Sequence, residues 1–88
     1  MQIEFDADKR EKTLAERGLD FADAAQVFAT ATVSFPDRRQ DYGEDRFNTI
    51  GYLDGRMVVI AWTPRGAVRR IISMRKANER EQARYSQA

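Results

Sequence analysis

The dipeptide Asp54-Gly55 stands between two runs rich in β-branched and aromatic residues, 46–53 (RFNTIGYL) and 56–63 (RMVVIAWT). In that setting it is a strong short-range signal for a two-residue hairpin, because both turn positions need left-handed backbone angles that glycine takes freely and aspartate tolerates. A third run, 68–75 (VRRIISMR), follows the turn signal Pro64-Arg65-Gly66, and a shorter one, 32–35, ends at Pro36-Asp37. Strands joined by turns this short pair with their neighbours, which predicts an antiparallel meander.

Upstream of residue 30 the period changes. Residues 2–5 (QIEF) read as a short strand, and 8–17 as a helix opened by Asp8 with Glu11 three positions on and stopped at Gly18. Asp20 can cap a second helix whose Phe21, Ala24, Ala25, Val27 and Phe28 form one apolar stripe. Asn78 and Glu81 repeat the capping signature and open a C-terminal helix over 78–87, which carries almost no apolar stripe. The expectation is one α+β domain over 1–88, two N-terminal helices on an antiparallel sheet and a C-terminal helix.

A chain of 88 residues with no cysteine and no histidine has neither disulfide nor zinc to staple it, so packing, or in part a partner, has to hold the fold. With 42% hydrophobic and 33% charged residues it has the composition of a globular domain, not of a disordered tail. The longest apolar run, 57–62, is far below the roughly 20 residues of a membrane helix. MQIEFDADKR lacks the basic-then-apolar order of a signal peptide, so the expected location is the cytoplasm with no membrane partner. No phosphate-binding glycine motif occurs, and the missing His and Cys argue against a transition-metal site. No cofactor is expected. Asp37, Asp41, Glu44 and Asp45 lie among Arg38, Arg39 and Arg46 and read as a solvated loop in preference to a magnesium site.

The net charge of +1 conceals a division. Residues 1–36 carry seven acids and four bases, whereas 37–88 carry seven acids and eleven bases, ten of them arginine. Arginine's planar fork of donors suits phosphate. By simple alternation Arg69, Ser73 and Arg75 share one side of their strand, with Arg70, Ile72 and Met74 on the other; Arg46 and Asn48 lie opposite Phe47 and Gly51. A sheet with one packed and one polar face can gather such arginines into a basic surface, the strand register deciding which.

The segments FDADK (5–9), RGLDFADAAQVF (17–28), GEDR (43–46), IG (50–51) and RIISMRKA (70–77), with Glu81 and Tyr85 beyond, occur in an order and spacing that resembles the BrnT toxins of bacterial type II toxin–antitoxin systems. Arg17 and Thr13 depart from the pattern, standing where histidine and asparagine are common. The resemblance implies a RelE-like fold and a ribonuclease acting on mRNA. It also implies a cognate antitoxin of the BrnA type with a ribbon-helix-helix domain, through which alone operator DNA is reached.

Metal-independent RNA cleavage drives the 2′-hydroxyl onto the adjacent phosphate and requires a base, an acid and cations for the phosphorane charge. With no histidine to shuttle protons near neutrality, catalysis leans on electrostatics and positioning. Arg46, Arg70 and Arg75 are the candidate phosphate contacts. Lys76, Glu44 and Tyr85 are candidates for proton transfer or base stacking, while Arg38, in a loop, is expected to matter little. Each has a plainer reading: Glu44 pairs Arg46 or Arg75, Arg70 is a paired arginine at the sheet rim, and Tyr85 anchors the last helix. The competing class is a non-catalytic basic module that binds RNA, a ribosomal surface or an acidic protein partner.

Overall fold

The computed structural model describes residues 2–31 and 33–86. Strand β1 (Gln2–Phe5) leads into helix α1 (Ala7–Arg17), a 3-10 turn at Phe21–Asp23 and helix α2 (Ala24–Ala29). Strands β2 (Val33–Pro36), β3 (Phe47–Leu53), β4 (Arg56–Arg65) and β5 (Val68–Lys76) follow, then helix α3 (Glu79–Tyr85). Thr32 and Gln87, the expected start of β2 and end of α3, lie outside the described residues.

The meander is present, β2 to β5 running antiparallel in turn. Asp54 and Gly55 both have positive φ, 51° and 78°, the backbone a primed hairpin turn demands. The sheet as a whole is mixed, not antiparallel: β1 pairs in parallel with β5, Gln2 to Val68 through Phe5 to Ile71. The helices carry the chain from β1 at one edge to β2 at the other, and the meander returns strand by strand until β5 lies beside β1. A pairing this distant in sequence has no local turn signal to announce it.

Other boundaries also moved. Asp6, not Asp8, caps α1, its carboxylate accepting from the Lys9 N–H, while Gly18 closes the helix at φ 69°. The expected second helix divides into the 3-10 turn, capped by Asp20, and α2. Pro64 lies within β4 and not in the turn, opposite Arg69. It is tolerated because β3 ends its pairing at Phe47 and Trp62, which leaves β4 beyond that point with β5 alone.

One face of the sheet carries the main core. Phe21, Ala24, Val27 and Phe28 pack on Val58, Ile60, Trp62, Ile71 and Met74, with Ile3, Phe5 and Phe47 at the margin. Gly51 is required there: a Cβ on it would lie 2.7 Å from the Val27 carbonyl oxygen and 2.8 Å from Val27 Cγ1. The polar atoms under this layer are paired, Trp62 Nε1 donating to Thr49 Oγ1 at 2.8 Å and that hydroxyl lying 2.7 Å from Ser34 Oγ. Arg17 reaches in from α1 to donate to the Met74 carbonyl.

The other face, called the open face below, carries a smaller cluster. Ile50, Met57, Val59 and Ala77 are buried, with Val33, Phe35, Tyr52 and Tyr85 against them. Helix α3 lies at this end with none of its residues buried. Its Asn78–Glu81 capping box is complete, and Tyr85 stacks on Phe35 with ring centroids 6.2 Å apart.

Candidate functional site

A bulge in β5 decides what the open face presents. Ala61 pairs with Ser73 and Trp62 with Ile71, so Ile72 has no partner on β4 and the alternation of β5 shifts there. Before the bulge Arg69 turns to the helix-covered face, where its guanidinium lies 4.4 Å from the Phe28 ring and 4.6 Å from the Trp62 ring. After it Met74 is in the helix-covered core, and Ser73 and Arg75 face the open side. The grouping expected from strict alternation, Arg69 with Ser73 and Arg75, is therefore broken. Arg70, opposite Thr63, is the arginine that shares the open face with Arg75.

The remaining half of the open face is a cleft of about 280 Å³. Phe35, Asn48, Ala61 and Ser73 form its floor, and Arg38, Arg39, Arg75 and Glu81 stand around it. Arg75 holds Glu81 with both ends of its fork, at 2.7 and 2.8 Å. That pairing raises the guanidinium pKa and, with the Asn78 N–H helping, holds the Glu81 carboxyl below the ordinary carboxylate range. The positive charge of Arg39 acts on Arg75 in the opposite sense.

Arg39 is itself clamped to Asp37 by two hydrogen bonds of 2.9 Å, and Tyr42 donates to the same carboxylate at 3.4 Å. The Arg39 fork keeps the Asp37 carboxyl low. Arg38 has no hydrogen bond or ion pair among the described residues, which makes it the uncommitted cation of this cleft. It also borders an adjoining hollow lined by Pro36, Asp37, Glu44, Asp45 and Arg46.

Of the six residues singled out from sequence, the fold brings Arg75 to the cleft and Arg46 with Glu44 to the adjoining hollow. Arg46 contacts Glu44 at 3.3 Å and lies 3.9 Å over the Tyr42 ring, and Glu44 also meets Arg65 at 3.8 Å. Arg70 is on the right face but at the rim, bound to Glu4 at 2.9 Å. Lys76, opposite Val58, is exposed on the helix-covered side. Tyr85 reaches the cleft only through Phe35.

Arg38, Arg39, Asn48 and Ser73 complete the arrangement. The strand alternation that put Asn48 beside Arg46 and Ser73 beside Arg75 was a usable signal for two of them; Arg38 and Arg39 sit in a loop whose course no periodicity gives. Among the described residues no three acidic side chains come together as a metal site, and no helix is long and apolar enough to cross a membrane.

A basic cleft with guanidinium forks on the solvated half of a sheet face is the kind of surface that receives phosphates. Residues 5–81 match the model of a protein family described as the ribonuclease toxin BrnT of type II toxin–antitoxin systems. The chain belongs to this family. The match takes in the cleft from Phe35 to Glu81, and it carries with it an RNA substrate and a cognate antitoxin as the family's partners. A comparison with curated proteins finds no match.

Proposed function

We propose that the open-face cleft is the centre of a metal-independent endoribonuclease that cuts mRNA and thereby arrests translation and growth. The observation that carries this reading is the convergence of Arg38, Arg39 and Arg75 around one cleft within a member of the BrnT family. In this reading the 2′-oxygen forms a bond to the adjacent phosphorus, the bond from phosphorus to the 5′-oxygen breaks, and one proton passes from the 2′-hydroxyl to a base while another reaches the leaving oxygen. The products are a 2′,3′-cyclic phosphate and a free 5′-hydroxyl. The guanidinium groups hold the phosphorane charge, a task suited to a fork that stays charged at every working pH.

Arg75 is the principal phosphate contact, reached when the scissile phosphate replaces Glu81 on its fork. Arg38 joins it without having to give up a partner. Arg46, in the adjoining hollow beside Glu44, takes the neighbouring phosphate. Glu81 and Asp37 are the carboxylates bordering the cleft, and Glu81, once released, is the nearer of the two to Arg75 and the candidate base. Arg70 and Lys76 serve outside this centre, as rim and helix-side cations. The antitoxin, of ribbon-helix-helix type, neutralises by covering the same basic surface, so its binding weakens as salt screens surface charge.

The test is incubation of the pure protein with RNA in EDTA, with product ends identified. Cleavage leaving 2′,3′-cyclic or 3′-phosphate ends is expected. A strict magnesium requirement with 5′-phosphate products would falsify the chemistry, and RNA binding without cleavage would make the protein a binding module.

A further inference from the structure

We propose that Asn48 and Ser73, on either side of Ala61, form a base-reading subsite that selects the nucleotide at the cut, adenine being its best match. The inference rests on the ribonuclease reading and adds to it the residues that set sequence preference. Phe35, Asn48, Ala61 and Ser73 are successive cross-strand partners on β2, β3, β4 and β5 and so form one straight row across the sheet. Neighbouring strands lie about 4.8 Å apart, which puts Asn48 and Ser73 roughly 10 Å apart along the row. Only the Ala61 methyl lies between them. A small apolar floor between two polar walls accepts a flat ring face down, with its edges turned to the walls.

The two walls are unspent. Both residues are half-buried, and neither side chain has a hydrogen bond among the described residues. The two carboxylates beside the cleft floor are engaged, Asp37 with Arg39 and Glu81 with Arg75 and Asn78, and the uncommitted Arg38 is taken up by phosphate in the reading above. The Asn48 carboxamide presents a donor and an acceptor side by side, the pattern that matches N6 and N7 of adenine. The Ser73 hydroxyl donates or accepts and so adds a contact without choosing the base.

Phe35 closes the row at the β2 end, and its ring is already backed by Tyr85, which leaves the space over Ala61 as the place for the base. Arg75, one pleat along β5 from Ser73, stands at the same cleft, so phosphate and base contacts fall on one nucleotide. Such a site requires an unstacked base and therefore single-stranded RNA. The bulge at Ile72 makes it possible, because with strict alternation from Ile71 Ser73 would share the helix-covered face.

The experiment is cleavage of an RNA pool randomised at every position, with cut sites sequenced for the wild-type protein, Asn48→Ala and Ser73→Ala, each checked by thermal melting. Wild type should favour adenine by at least about fivefold in kcat/KM, the lower end of what one good amide-to-base pairing discriminates. Asn48→Ala should level the four bases, cleavage falling most at adenine, and Ser73→Ala should slow cleavage at all four without levelling them. A merely structural Asn48 would instead lower cleavage at every base alike. Cleavage without base preference in the wild type, or an unchanged preference in Asn48→Ala, overturns the subsite while leaving the ribonuclease intact. A preference for another base that vanishes in Asn48→Ala keeps the subsite and overturns adenine. If the wild type cuts no RNA, the ribonuclease reading fails and the subsite falls with it.

Discussion

The two faces of the sheet are made by alternate residues of the same strands, yet they are built on opposite principles. On the helix-covered face Val58, Ile60, Ile71 and Met74 are almost wholly excluded from solvent, and the buried Thr49 hydroxyl is consumed by Trp62 and Ser34. On the open face only the end beneath α3 is apolar; the remainder is a cleft of amide, hydroxyl and guanidinium groups, held by ion pairs exposed enough to exchange. One pleat thus separates the residues that hold the fold from those available for chemistry. A small domain gains from this division, since charged groups can be concentrated on one surface without entering the layer that supplies most of its stability.

The covered face is the one whose substitution costs most. Ile60→Ala empties a site in the middle of that layer and should cost about 2–5 kcal/mol, read from urea denaturation, with cleavage per folded molecule unchanged. Loss of cleavage beyond the loss of folded protein would join the two faces functionally. Arg75→Ala is the mirror case: cleavage should fall by about 10²-fold or more, as when a charge-stabilising donor is removed, with stability changed by less than about 1 kcal/mol because the Arg75–Glu81 pair is exposed.

Gly51→Ala sits between these, placing a methyl against the Val27 backbone. It should cost about 1–3 kcal/mol by lifting α2 from β3, measurable as a lower melting temperature. Arg38→Ala, in contrast, should leave melting untouched and weaken RNA binding several-fold; full affinity would remove Arg38 from the phosphate path.

The smallest effect is that of pH. Asp20, Asp37 and Glu81 are held below the ordinary carboxylate range by Arg10, Arg39 and Arg75 in turn. The unfolded chain therefore binds protons on these groups at a higher pH than the folded one. Their stabilisation is complete above the unfolded value, near 4, and is lost as the pH falls through the lower folded values. Melting temperature should accordingly decline below about pH 4, and Glu81→Gln should flatten part of that decline. An identical decline in the variant would show that Glu81 contributes nothing to it.

Much of this was legible in the residues themselves. Asp54-Gly55 with the β-branched runs on either side specified the hairpin, Asn78 with Glu81 specified the start of α3, and the stripe from Phe21 to Phe28 identified what the sheet buries. The arginine-rich strand that brings Arg75 to the cleft was also recognisable as a strand. These are local properties, set by backbone preference and by the period of side chains along one element. The parallel seat of β1 on β5, the bulge at Ile72 and the entry of the Arg38–Arg39 loop into the cleft were decided only in three dimensions. Each depends on contacts between segments far apart in the chain. The bulge shows why this matters most: one unpaired residue reverses the facing of the residues beyond it relative to those before, so alternation read along β5 alone could not say which arginines would stand together.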